Sequence, residues 1–246
     1  LGIDYDSRCV DDKVTKESLF GSKYKDDFIF MTVGKNSERK KLDKIIESFA
    51  LFMSKSRKQG KYKLYIHTDP NESVTGTDLI SLASNLGIID HILWPSTILN
   101  RTIMTDSGLY KRYKVCDTYI SLSGGEGLCY PLIEAMMHNK PVIYLNYGGH
   151  SEFCSKSGVG YPVRVESYHN ARNVSMKWAI ADIKDAARQM DYIVDSLSLT
   201  QTKYKSDEYI NKSFDWDKVI MPKLISEIEA NFIQKDKISF NLSRVI

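Results

Sequence analysis

The chain has 246 residues, 42% of them hydrophobic and 26% charged, with a formal net charge of +3. That length suits one large domain or two small ones. The slight basic excess implies no nucleic-acid partner, and no apolar run approaches the roughly 18 residues of a membrane-spanning helix. The four cysteines, Cys9, Cys116, Cys129 and Cys154, lack metal-site spacing and read as reduced thiols of a cytoplasmic protein.

From the N-terminus, a polar, irregular lead-in reaches Asp27; opening at Leu1 rather than a methionine is expected of a piece of a longer protein. FIFMTVG, Phe28 to Gly34, is the continuous apolar run that a strand covered on both faces needs. Apolar residues at Leu42, Ile45, Ile46, Phe49, Phe52 and Met53 give a helical period over 41–58. KLYIH, Lys63 to His67, is a second strand, Leu79 to Leu86 a helix stopped by Gly87, and His91 to Trp94 a third strand. A helix over Leu109 to Val115 leads to a strand over Thr118 to Leu122 and, after a loop and helix, to another at PVIYL, Pro141 to Leu145. Helices are expected over 175–197 and 216–232. This alternation predicts an α/β fold, a Rossmann-like parallel sheet with helices on both faces and ligands at the carboxyl ends of its strands.

The stretch that follows the fourth strand, Ser121 to Ala135, carries the densest chemical signal: SLSGGEGLCYPLIEA. Gly124, Gly125 and Gly127 are expected to take bends that a Cβ forbids. Pro131 suits the first turn of a helix. The amides of Leu128, Cys129 and Tyr130 then lie at the positive end of a helix dipole, an anion site that fits a diphosphate. Glu134, one turn inside the helix, can accept two hydrogen bonds from a ribose diol, and Glu126 reaches what lies beyond the phosphates. After the first strand comes a basic run, Gly34-Lys35-Asn36-Ser37-Glu38-Arg39-Lys40-Lys41. Positive charge at a helix start opposes the dipole, which argues for a ligand; two fixed cations stabilise a leaving diphosphate as it gains charge. Gly148-Gly149-His150-Ser151-Glu152 forms a second glycine loop with candidate sugar contacts at His150 and Glu152. Trp94 to Thr97 is the candidate base pocket, with Thr97 as a binding residue. The tryptophans otherwise read as packing.

These motifs resemble, in order and spacing, the retaining glycosyltransferases of the GT-B fold called group 1 or family 4, with their E-x7-E signature. The usual pattern E-G-F-G-x-P-x-x-E-A appears as EGLCYPLIEA from Glu126 to Ala135, followed by NKPV and GGHSE. Two departures stand out. Cys129 replaces the second glycine and is expected beside the sugar; Asn139 replaces another glycine, a mild change because asparagine tolerates a left-handed helix cap. The run from Gly34 resembles the family's G-R-x-x-x-x-K-G. The resemblance covers only the C-terminal, donor-binding half of such an enzyme. It implies that Glu126, Arg39 and Lys40 are catalytic. Gly34, Lys35, Thr97, Gly125, Gly127, Leu128, Cys129, Tyr130 and Glu134 would join them in binding a GDP- or UDP-linked sugar without a metal or other cofactor. It further implies an interdomain linker and lead-in over 1–26, a nucleotide-sugar-binding domain over 27–206, and terminal helices over 207–246 that pack back toward an N-terminal acceptor domain of the same protein. The acceptor, whether glycan, lipid or protein, is not specified, and the location is cytoplasmic or peripheral at a membrane surface. The alternative reading is a non-catalytic module of the same fold that binds a nucleotide-sugar or a protein.

Overall fold

The computed structural model describes residues 13–55, 61–70, 76–95, 105–170, 176–199 and 205–242. Six parallel strands form one sheet: β1 (Phe28–Val33), β2 (Tyr62–His67), β3 (Ile92–Leu93), β4 (Thr118–Ser121), β5 (Val142–Leu145) and β6 (Gly160–Val163). Their order is β3-β2-β1-β4-β5-β6, with Phe28 opposite Tyr62 and Tyr119 opposite Val142. The helices in chain order are α1 (Lys16–Phe20), α2 (Leu42–Lys55), α3 (Leu79–Asn85), α4 (Asp106–Val115), α5 (Tyr130–Met137), α6 (Gly149–Lys156), α7 (Ile183–Leu199), α8 (Ser206–Phe214) and α9 (Met221–Leu242). The doubly wound α/β architecture expected from the alternating pattern is present.

Alternation along β1 explains why helices cover both faces. Phe30 packs into one core with Phe49 and Phe52 of α2 and Met190 of α7. Ile29 and Met31 point into the other, with Tyr113 of α4 and Leu132 and Met136 of α5. Fully burying side chains of this size is worth about 1.5–3 kcal/mol each, so both faces must be covered. The strand order reverses between β1 and β4. Their loops leave toward opposite faces, and a crevice opens between them at the carboxyl ends.

The chain departs from the sequence reading after β6. A helix was expected over 175–197, but Lys177–Ala181 is a strand, β8, paired antiparallel with β7 (Val165–Asn170). The split has a local cause. Asp182 Oδ1 accepts hydrogen bonds from the amides of Lys184 at 2.9 Å and Asp185 at 3.0 Å, so it caps α7 and ends what precedes it. Asn139 behaves as expected, with φ of 56° at the end of α5. Its Oδ1 also accepts from the amide of Asp207 at 3.0 Å, which with Ser206 Oγ on the carbonyl of Met136 at 2.7 Å docks α8 onto α5. On α9, Leu224, Ile225 and Ile228 are exposed. Among the described residues no helix is long and apolar enough to cross a membrane.

Candidate functional site

The loops that follow β1 and β4 are stitched together at the crevice. The amide of Gly124 donates to the carbonyl of Arg39 at 2.8 Å, and Ser123 Oγ donates to the same carbonyl at 3.1 Å. Arg39 Nη1 donates to the carbonyl of Gly125 at 2.8 Å. Within this frame Glu126 Oε1 lies 2.6 Å from Arg39 Nη1 and 2.7 Å from Lys40 Nζ. The side chains of Lys40 and Glu126 are only 15% and 10% exposed, so this is not a solvated basic helix start. Burial alone would raise the Glu126 carboxyl. The Lys40 hydrogen bond and the charges of Lys40 and Arg39 outweigh it and hold the group below its usual range. Two cations against one carboxylate leave a net positive centre facing the crevice.

The glycines serve this loop differently from expectation. None of Gly124, Gly125 and Gly127 has a positive φ. Gly124 is needed for close approach: a Cβ there would sit 2.7 Å from the carbonyl oxygen of Ala179. The left-handed residue is Cys129, the N-cap of α5, with φ of 55° and ψ of 71°. That conformation turns its side chain inward. Cys129 is 5% exposed, packs in the same core as Tyr113 and Tyr119, and lies 3.9 Å from Ser121 Oγ. The expectation that it borders the sugar is therefore corrected: it sits beneath the loop, where burial pushes its thiol up to about 11.

An open cleft of about 630 Å³ is lined by Arg39, Gly125, Glu126, Gly127 and Gly148 together with Tyr147, Met176, Lys177 and Trp178. A second hollow, about 380 Å³, lies at the ends of β1 and β2 and is lined by Val33, Gly34, Lys35, Asn36, His67, Thr68 and Asp69. The structure thus brings Arg39, Lys40, Gly125, Glu126 and Gly127 into one site and places Gly34 and Lys35 at a neighbouring one. Leu128, Cys129 and Tyr130 lead into the first turn of α5, at its positive end. Glu134 is only 8% exposed; burial first, and then the neighbouring Tyr119 and Glu134, push the Tyr113 hydroxyl well above its usual range. Thr97 lies outside the described residues. His150 is fully buried and donates to the carbonyl of Leu145 at 3.1 Å, while Glu152 is exposed and pairs with Lys156 at 3.2 Å, so neither lines the cleft.

Sequence reasoning missed Tyr147, Met176, Lys177, Trp178 and His67. Met176, Lys177 and Trp178 are hidden by reading 175–197 as helix; alternation over Lys177–Ala181, ending at a capping aspartate, is the signal that finds β8. His67 is held neutral, its pKa lowered to about 4 by burial and then by Arg112, and its Nδ1 is 2.8 Å from Tyr65 Oη. Among the described residues no cluster of His, Cys, Asp or Glu side chains could hold a metal ion.

The family profile of the glycosyl transferases group 1 matches residues 15–192. No curated protein sequence matches the chain. Among solved structures, sucrose-phosphate synthase from Thermosynechococcus elongatus superposes with a TM-score of 0.70 at 18% identity, over 94% of this chain and 52% of that one. Anabaena HepE in complex with UDP-glucose gives 0.71 at 14% identity, over 94% and 56%. The C-terminal domain of a group 1 glycosyl transferase, LpcC from Francisella tularensis, gives 0.62 at 16% identity, over 85% of this chain and 96% of that domain. The chain spans about half the length of the two longer proteins, and the likeness to all three is one of fold.

Proposed function

Because the chain belongs to the glycosyl transferases group 1 family, we propose that it is the donor-binding half of a retaining hexosyltransferase that uses a nucleoside-diphosphate sugar. The observation that carries this reading is the convergence of Arg39 and Lys40 on Glu126 where the loops of β1 and β4 meet. A leaving nucleoside diphosphate gains negative charge as the anomeric bond breaks. Fixed cations in a partly buried site stabilise that charge more than they stabilise the intact donor, and in this reading they do so without a metal ion. The diphosphate takes the place that the Glu126 carboxylate holds against Arg39 and Lys40, and the carboxylate turns to the sugar. There it positions a hydroxyl or stabilises positive charge at the anomeric centre. The acceptor, held by an N-terminal half of the same protein, attacks from the leaving-group face. The donor is UDP- or GDP-linked; the structure of HepE with UDP-glucose supports a UDP-sugar, and GDP-mannose is the other donor to test.

The test is calorimetric. The isolated domain is expected to bind UDP or GDP, and Arg39→Ala with Lys40→Ala should weaken the nucleoside diphosphate far more than the nucleoside, at roughly 1.5–3 kcal/mol for each charge-assisted hydrogen bond. No heat with UDP, GDP or ADP would count against the reading. Transfer of labelled sugar by the full-length protein separates an enzyme from a non-catalytic module.

A further inference from the structure

The hairpin β7–β8 follows the last parallel strand and belongs to neither the sheet nor its helical layers. A two-stranded hairpin is marginal on its own, yet this one is fastened to three loops at the carboxyl ends of the sheet. After β1, His169 Nε2 lies 3.1 Å from Glu38 Oε1 and 3.4 Å from Lys41 Nζ. Lys41 adopts a left-handed φ of 51° at the position of the glycine that ends the family's basic pattern, and it is nearly buried. After β4, the amide of Ala179 donates to the carbonyl of Gly124 at 2.9 Å. After β5, Tyr147 stacks edge-on against Tyr168 at 5.6 Å and its hydroxyl donates to the carbonyl of Lys177 at 3.4 Å.

These fastenings set Trp178 on the cleft. It pairs across the hairpin with His169, whose ring meets the indole edge-on at 5.6 Å. A Cβ placed on Gly125 would meet the indole Cδ1 at 3.5 Å and Nε1 at 4.0 Å, so the pyrrole edge faces the segment that carries Glu126. Nε1 is buried and has no hydrogen-bond partner. An unpaired buried donor is costly, and one bordering a cleft is explained by an acceptor that arrives with a ligand. A pyranose ring offers both things an indole can use: an apolar C–H face to pack on the ring, and hydroxyl oxygens to take its N–H.

We propose that Trp178, held by the β7–β8 hairpin, is a specificity-determining residue that packs on the transferred sugar of the donor and donates its indole N–H to a sugar hydroxyl. The assignment rests on the donor-binding reading, because Glu126 and Trp178 share one cleft. Trp178→Phe keeps an aromatic face and removes the donor; Trp178→Ala removes both. Each variant is titrated with UDP, GDP, UDP-glucose and GDP-mannose, its folding checked by circular dichroism. The matching nucleoside diphosphate should bind within about twofold of the parent affinity. The matching nucleotide-sugar should lose roughly 3- to 10-fold in the Phe variant and more in the Ala variant. Equal loss for nucleotide and nucleotide-sugar, or no loss for either, overturns the proposal. So does a change confined to the acceptor KM of the full-length enzyme. If the parent binds none of the four compounds, the donor-binding reading fails, and this proposal with it.

Discussion

Glu126 holds both cations of the candidate site, so its removal should act in opposite directions on two measurements. To reach Arg39 and Lys40, a diphosphate must displace the carboxylate paired with them. Glu126→Gln frees both cations while keeping the side-chain shape. Titration with UDP or GDP should show tighter binding of the bare nucleotide, by roughly tenfold or about 1.4 kcal/mol. Turnover in the full-length protein should instead fall by about a hundredfold, as for loss of a preorganised group that stabilises transition-state charge. Unchanged or weaker nucleotide affinity would show that the ion pairs do not compete with the ligand. Cys129 offers a test of backbone strain. At φ of 55° a Cβ is disfavoured, so glycine should be better than alanine at this buried cap. Both variants lose the buried thiol; Cys129→Gly should nonetheless be about 1 kcal/mol more stable than Cys129→Ala in urea, the reverse of the usual helix order. The opposite ranking would mean that the left-handed cap is not kept in solution.

Elements with a clear period were legible in the sequence, and so was the half of the site they carry. The apolar run at Phe28–Gly34 gives β1 to within one residue, and the 3.6-residue pattern over 41–58 gives α2 from Leu42 to Lys55, where the described stretch ends. The motif from Glu126 to Ala135 placed the glycine loop at the carboxyl end of β4. The other wall of the cleft was not legible, because β7 and β8 are stabilised by partners far along the chain. Val165–Asn170 is mostly exposed and weakly patterned, and its ties to Glu38, Lys41 and Tyr147 have no local signature. The inward turn of Cys129 was hidden for a similar reason. Which way a left-handed residue points depends on the fold beneath it, here Tyr113, Tyr119 and Leu132. The pairing of Glu126 with Arg39 and Lys40 depends on strand order, which the two motifs do not state.

For the molecule as a whole, three histidines with depressed pKa values, His150 fully buried and His67 and His138 partly buried, predict how stability responds to acid. The pKa of His67 is lowered to about 4 by burial and Arg112, and those of His138 and His150 are lowered chiefly by burial. Their folded values lie below the unfolded value near 6.5, so the unfolded chain binds more protons in that interval. Stability should therefore fall as pH drops from about 6.5 toward 4, before the depressed carboxylates of Glu126 and Asp182 titrate. Urea midpoints at pH 7.5, 6 and 5 check this, and His67→Gln should flatten the slope; a flat parent profile over that range would show that these rings are not buried neutral. Leu224, Ile225 and Ile228 on α9 are exposed apolar side chains on one face of that helix. The fastening of β8 to the glycine loop, finally, gives the cleft a history. Ala179 follows Gly124 by two strands of the sheet, two helices and β7, and a ribosome adds only about 5–20 residues per second. A growing chain that has finished β5 already carries both cations and the loop that frames them, but the indole opposite has yet to be made. During synthesis, the cationic wall of the cleft is complete before its aromatic wall exists.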